Sequence, residues 1–135
     1  MGSPPRSPAP APRSNMPALL ARARSVLDEA ERSESAADRF CLAHLAALRT
    51  AAVVIAERGR PAGSRRRLVS VWVVLQGLVP EYDTWTSFFA AGATVRSAVE
   101  AGAVSAVSTR MADDQLRAAR EFLALVEDSL GLLAA

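Results

Sequence analysis

The only histidine and the only cysteine of the chain lie in one segment, residues 38 to 56, which runs from Asp38 through Arg39, Cys41 and His44 into an alanine-rich stretch. Arg39 precedes His44 with four residues between them. An imidazole can move a proton at neutral pH and a guanidinium can offset negative charge developing on phosphate, so the two together suit phosphodiester chemistry. Helical geometry works against the pair, because five positions along a helix leave two side chains about 140° apart. The bland alternative places His44 at the rim of the core with a hydrogen bond and leaves Arg39 in solvent. No other segment supplies a catalytic set, and the chain has no lysine.

A second cluster is Arg58, Arg60, Arg65, Arg66 and Arg67, set in a stretch without acids. Guanidinium groups pair bidentately with phosphate oxygens, which makes this stretch the candidate nucleic-acid contact. No aromatic residue interleaves with the arginines to stack bases, and a loop kept soluble by charge is the competing reading. Asp113 and Asp114 read as first-turn acids of a helix, so no metal and no cofactor is expected. Trp72 and Trp85 each fall on an apolar stripe, which favours the core over a partner-facing surface.

The elements that must position these residues are helical. The chain has 135 residues, enough for one core. Residues 1–15, rich in Pro, Ser and Ala, predict a disordered tail, and residues 16–135 the folded domain. A first helix is expected after Asn15 as cap, with Leu19, Leu20, Ala23, Val26, Leu27 and Ala30 inward. A second is expected after Ser35, with Cys41, Leu45, Leu48, Ala52 and Ile55 as its stripe, widened by His44 and Ala51, and with Gly59 and Pro61 ending it. Ser70 opens a short third helix, although its valines would also suit a buried strand. Asp83 is expected to cap a fourth, with Trp85, Phe88, Phe89, Gly92, Val95 and Val99 inward. A fifth spans about 110 to 133, with Leu116, Ala119, Leu123, Val126, Leu130 and Leu133 as a heptad seam. The expected architecture is therefore all-α, a single bundle of four to five helices.

All sixteen basic residues are arginine, and two of them, Arg6 and Arg13, lie in the tail, so the domain carries fourteen arginines against fourteen acids. That balance argues against a binder driven by global charge. The unpaired Cys41 suits a reducing cytoplasm. The longest strongly apolar run, residues 68 to 79, is too short to span a bilayer, so a cytoplasmic protein without membrane contact is expected.

Several landmarks spread over four helices resemble a small actinobacterial branch of the HEPN (higher eukaryotes and prokaryotes nucleotide-binding) superfamily. They are the run from His44 to Arg49 and on through the following alanines, the opening Ser70-Val-Trp72, Pro80-Glu-Tyr with Trp85 and Phe88 to Gly92, and Ala112-Asp113-Asp114 leading to Phe122, Val126 and Glu127. The resemblance covers about residues 17 to 133. It implies a bundle of four or five helices, frequent homodimerisation and, in active members, metal-independent RNA cleavage by an Arg and a His in or just before the last helix. This chain departs there, since its last helix holds Arg110, Arg117 and Arg120 but no histidine. The resulting expectation is a non-catalytic, dimerising module that binds RNA, a nucleotide or a protein partner. The alternative is a divergent metal-independent ribonuclease using His44, with Arg39 or a loop arginine beside it.

Overall fold

A computed structural model of the chain describes residues 12–59 and 70–131. It contains five α-helices: α1 (Pro12–Arg32), α2 (Ala36–Arg58), α3 (Val71–Leu78), α4 (Asp83–Glu100) and α5 (Thr109–Ser129). Two single 3-10 turns, Pro80–Tyr82 and Val104–Ala106, bracket α4. No strand occurs among the described residues, so the valine-rich stretch after Ser70 is a helix.

Local chemistry sets most of the helix starts. Ser35, Ser70 and Ser108 sit in extended conformation ahead of α2, α3 and α5, and their hydroxyls accept from the amides of Asp38, Trp72 and Met111 at 3.1, 3.0 and 3.1 Å. Each bond satisfies an amide that the helix itself leaves without a partner. Gly59, at φ 87°, ends α2 in a backbone region that side-chain-bearing residues rarely occupy, and its amide donates to the Ile55 carbonyl.

Two expected boundaries differ. The helix α1 begins at Pro12, ahead of Asn15, so Pro17 lies inside it rather than in its first turn. Residues 1–11, the rest of the expected tail, are outside the described residues. Asp83 does not cap α4. It is the helix's first residue, and its carboxylate accepts from Gln76 Nε2 at 2.7 Å, joining α4 to α3. Thr86, fully buried, donates from the same region to Gln76 Oε1 at 2.9 Å.

The helix α2 is the axis of the bundle and touches each of the other four helices. Ala43, Ala46, Ala47 and Ala51 are completely buried, and their small side chains let α1 and α5 approach closely. Neighbours on several sides bury more of α2 than one stripe. Phe40, Thr50, Val53 and Val54 are also inside, whereas Ala52 is exposed and Cys41, Leu45 and Leu48 are only half-buried. By length and composition α2 could cross a membrane, and here more than half of its apolar window is covered by the bundle.

The large side chains meet at Phe122 of α5. Trp72, Tyr82, Trp85 and Phe89 all pack on its ring, with centroids 5.6 to 6.4 Å away. Trp72 also stacks on Phe89 at 5.0 Å. Both tryptophans therefore take the core role. The heptad seam of α5 is spent inside the chain: Ala119, Leu123 and Val126 are buried against the other helices, so this seam is not a free dimer surface. Phe88 of α4 and Leu19 of α1, both expected inward, are each 40% exposed.

Charged residues tie α5 to its neighbours from outside. Arg24 pairs with Glu127, and Arg120 pairs with Asp28 at 3.2 Å and Glu31 at 2.5 Å. Arg117 pairs with Asp114 at 2.6 Å rather than with Asp113, four positions away. Exposed pairs of this kind contribute about 0–1 kcal/mol each, so the aromatic core carries the stability. Replacing Phe122 by Ala should cost about 3–5 kcal/mol, and replacing Arg120 by Ala less than about 1 kcal/mol. Urea unfolding followed by circular dichroism would measure both.

Candidate functional site around His44

His44 is 1% exposed. It projects from α2 towards α4, where Nε2 lies 3.1 Å from the Phe89 carbonyl oxygen and Nδ1 lies 3.3 Å from Nη1 of Arg96. A guanidinium has no lone pair to offer, so Nδ1 must accept and Nε2 must carry the proton donated to Phe89. These two partners fix one neutral tautomer. Trp72 and Phe89 enclose the ring, with centroids 5.8 and 6.3 Å from it. Burial, the largest effect, pushes the imidazole below its ordinary value; the Phe89 bond, next in size, opposes it, and the Arg96 charge lowers it further against a raising effect of Glu100.

Arg96 joins this buried group to solvent. Its Nε donates to Glu100 at 3.0 Å, one turn further along α4, and its side chain is 30% exposed. Cys41 stands one turn before His44, half-buried. Its thiol is pushed up by burial first and by Glu100 next, partly offset by Arg96. A thiol held protonated is a weak nucleophile.

Arg39 does not join His44. It donates to Asp113 of α5 at 2.6 Å and to the Ser33 carbonyl at 2.7 Å, linking the start of α2 to the end of α1 and the start of α5. The expectation of a solvated Arg39 is thus corrected: its side chain is 20% exposed and serves as a tie between three segments. The arginine that does reach His44 is Arg96, which sequence reasoning passed over. Its one signal was an arginine one residue after Val95, beside the inward stripe of α4. Of the arginine-rich cluster, Arg58 is exposed in the last turn of α2. Arg60, Arg65, Arg66 and Arg67 lie outside the described residues. Among the described residues, no group of three or more His, Cys, Asp or Glu side chains is placed to hold a metal ion.

The close approach at His44 depends on Gly92 of α4. A Cβ there would stand 2.8 Å from Oε1 and 3.2 Å from Nε2 of Gln115, and 3.3 Å from Cδ2 of His44. Gly92 thus marks a tight crossing, as its place in the stripe predicts.

Chemically, the arrangement stores a neutral imidazole rather than presenting a reactive one. The lone pair that a general base needs is engaged by Arg96, and the opposite nitrogen is committed to a backbone carbonyl. The depressed value sets the sign of a pH effect. The unfolded chain takes up a proton near the ordinary 6.5, which the folded chain refuses until lower pH. The stability from neutral His44 is therefore complete above that value and is lost as pH falls through the folded one. Thermal unfolding should show the melting temperature dropping as pH falls below about 6.5, with a smaller drop in His44→Gln.

The sequence pattern of the SAV_6107-like HEPN family matches residues 30–127, more than half of the chain, and spans α2 to α5 with most of the aromatic core and the whole His44 environment. No curated protein and no solved structure matches the chain. The five-helix architecture agrees with what the sequence landmarks implied. With the family pattern covering the helices that build the core, the chain belongs to the HEPN superfamily.

Proposed function

We propose that this protein is a non-catalytic HEPN module that self-associates and binds RNA through the arginine-rich stretch Arg58, Arg60, Arg65, Arg66 and Arg67. The observation that carries the non-catalytic part is the state of His44: buried, neutral, and bonded through both ring nitrogens. The RNA-binding part rests on family membership and on five arginines within a stretch that contains no acid. Self-association follows from the family resemblance. Since the seam of α5 is consumed in the core, the dimer must use another surface.

One contact favours a second reading. Arg96 and His44 touch, an Arg–His pair assembled from two helices instead of one motif. In a divergent ribonuclease Arg96 would swing towards the phosphate and free Nδ1 as the proton acceptor.

Incubation with single-stranded RNA in the presence of chelator separates the two. The expected result is no cleavage above a mock preparation. Cleavage abolished by Arg96→Ala or His44→Ala at an unchanged melting temperature would establish the ribonuclease reading instead. Replacing Arg65, Arg66 and Arg67 by Glu should weaken RNA binding about tenfold or more and reduce the slope of log affinity against log salt by about 2. Unchanged affinity and slope would remove the RNA-binding role from this stretch. Light scattering should give a mass of twice the chain, and a monomer at high micromolar concentration would overturn self-association.

A further inference from the structure

The helix pair α1 and α2 has one covered side and one open side. On the covered side α5 packs across both helices, and Arg24, Asp28 and Glu31 of α1 turn towards it. Among the described helices α1 touches only α2 and α5, so its other flank and the adjoining face of α2 form a seam open to solvent. Two recesses lie along this seam. One is walled by Leu19, Ala52, Val53 and Ala56 and includes Arg22 and Arg49. The other, next to the turn between the helices, includes Glu29 and Asp38, with one arginine, Arg32, beside them. Val26 and Leu45, half-buried, stand between the two recesses in the helical register.

The charges of the seam set it apart from the rest of the bundle. Every arginine of α4 and α5 is paired within the chain, Arg96 with Glu100, Arg110 and Arg117 with Asp114, and Arg120 with Asp28 and Glu31. Arg22, Arg49, Glu29 and Asp38 are exposed and make no ion pair among the described residues. One end of the seam is therefore basic and the other acidic, with apolar side chains along its length.

We propose that this seam is the surface through which two copies of the chain pair, about a two-fold axis that crosses it at Val26 and Leu45. The inference rests on the self-association advanced above and names its surface. A two-fold pairing lays a patch against the same patch after half a turn, so the patch must complement itself. On α1, Arg22 stands four positions before Val26 and Glu29 three after it. On α2, Arg49 stands four positions after Leu45 and Leu42 three before it, with Asp38 one turn beyond. Half a turn about that axis brings the basic end of each copy over the acidic end of the other, and does so twice. Exposed Ala52 and Ala56 leave room for a partner helix to come close. A foreign protein would have to match both ends at this spacing, which the chain already does for itself, and RNA would meet two carboxylates on one half of the seam. From Asp38 to Ala56 the face runs about 27 Å at about 1.5 Å per residue. With a width of about 20 Å for two helices it offers about 500 Å² per copy, near the lower bound of specific interfaces, so the pairing is reversible rather than permanent.

Charge reversal on the full-length protein tests the surface, with sedimentation equilibrium at low salt as the readout and the melting temperature as the check on folding. Arg22→Glu combined with Arg49→Glu makes both ends acidic, and Glu29→Arg combined with Asp38→Arg makes both basic. Each double variant alone should self-associate about tenfold or more weakly than the unmodified chain, because like charges then face one another. Mixed in equal amounts, the two should pair at least as tightly as the unmodified chain does. Glu29→Arg alone carries the basic arm if Asp38→Arg disturbs the start of α2. Reversal of Arg110 and Arg117 to Glu on α5 changes the net charge equally and should leave self-association as it was. A dimer that survives either reversal on the seam, or variants that fail to pair when mixed, would overturn this surface while leaving self-association in place. An unmodified chain that stays monomeric at high micromolar concentration would overturn both.

Discussion

The fold depends on how closely other helices can approach α2. Four completely buried alanines, Ala43, Ala46, Ala47 and Ala51, line its interior faces, and the only side chain lost to close packing on α4 is at Gly92. A chain of this size cannot surround a central helix with large residues on every side and still close the bundle. Instead, bulk is concentrated at one end, where Phe122 collects the rings of Trp72, Tyr82, Trp85 and Phe89. Small residues let the helices meet, and the aromatic group supplies most of the apolar area that holds them together.

Polar groups inside this frame are few and are used for alignment. His44 spans α2 to α4 through Phe89 and Arg96. Gln76, Thr86 and Asp83 connect α3 to α4, and Arg39 gathers the end of α1 and the start of α5 at the start of α2. The Gln76–Asp83 and Arg39–Asp113 bonds are exposed, but those of His44 and Thr86 are shielded from water, and such bonds add modest net stability yet are costly to leave half-made, so they select one register of the helices over its neighbours. The same rule makes three buried side-chain atoms conspicuous among the described residues, Arg39 Nε, Trp72 Nε1 and Gln115 Oε1, which have no hydrogen-bond partner.

Much of this was legible in the sequence. Serine caps, the stop at Gly59 and three-four spacing located the helices, and the tryptophans and Gly92 were assigned correctly because each lay on an apolar stripe. The stripe of α2 was drawn too narrowly. Periodicity assumes one buried face, and a central helix has several, so Phe40 and Val54 were missed while Ala52 was placed inside. Asp83 reads as a cap because serine and aspartate share that preference, whereas in the fold Gln76 donates to its carboxylate. The partner of His44 was not legible at all. Arg96 stands 52 positions further on, and no local spacing rule reaches across a tertiary crossing. Likewise the seam of α5 looked like an interface because a heptad pattern does not say whether the partner helix belongs to the same chain.

Gly92 has a further consequence for how this sequence can vary. One absent methyl group holds apart nothing by itself, yet an imidazole from α2 and an amide from α5 share the space it leaves, at 3.3 and 2.8 Å from where that methyl would stand. The three positions 44, 92 and 115 therefore form one volume with three owners. A change at any of them alters what the other two can tolerate, so their effects will not add. Lineages that enlarge residue 92 must shorten or redirect residue 44 or 115 at the same time, and relatives should separate into those that keep the glycine with both polar side chains and those that have exchanged all three together.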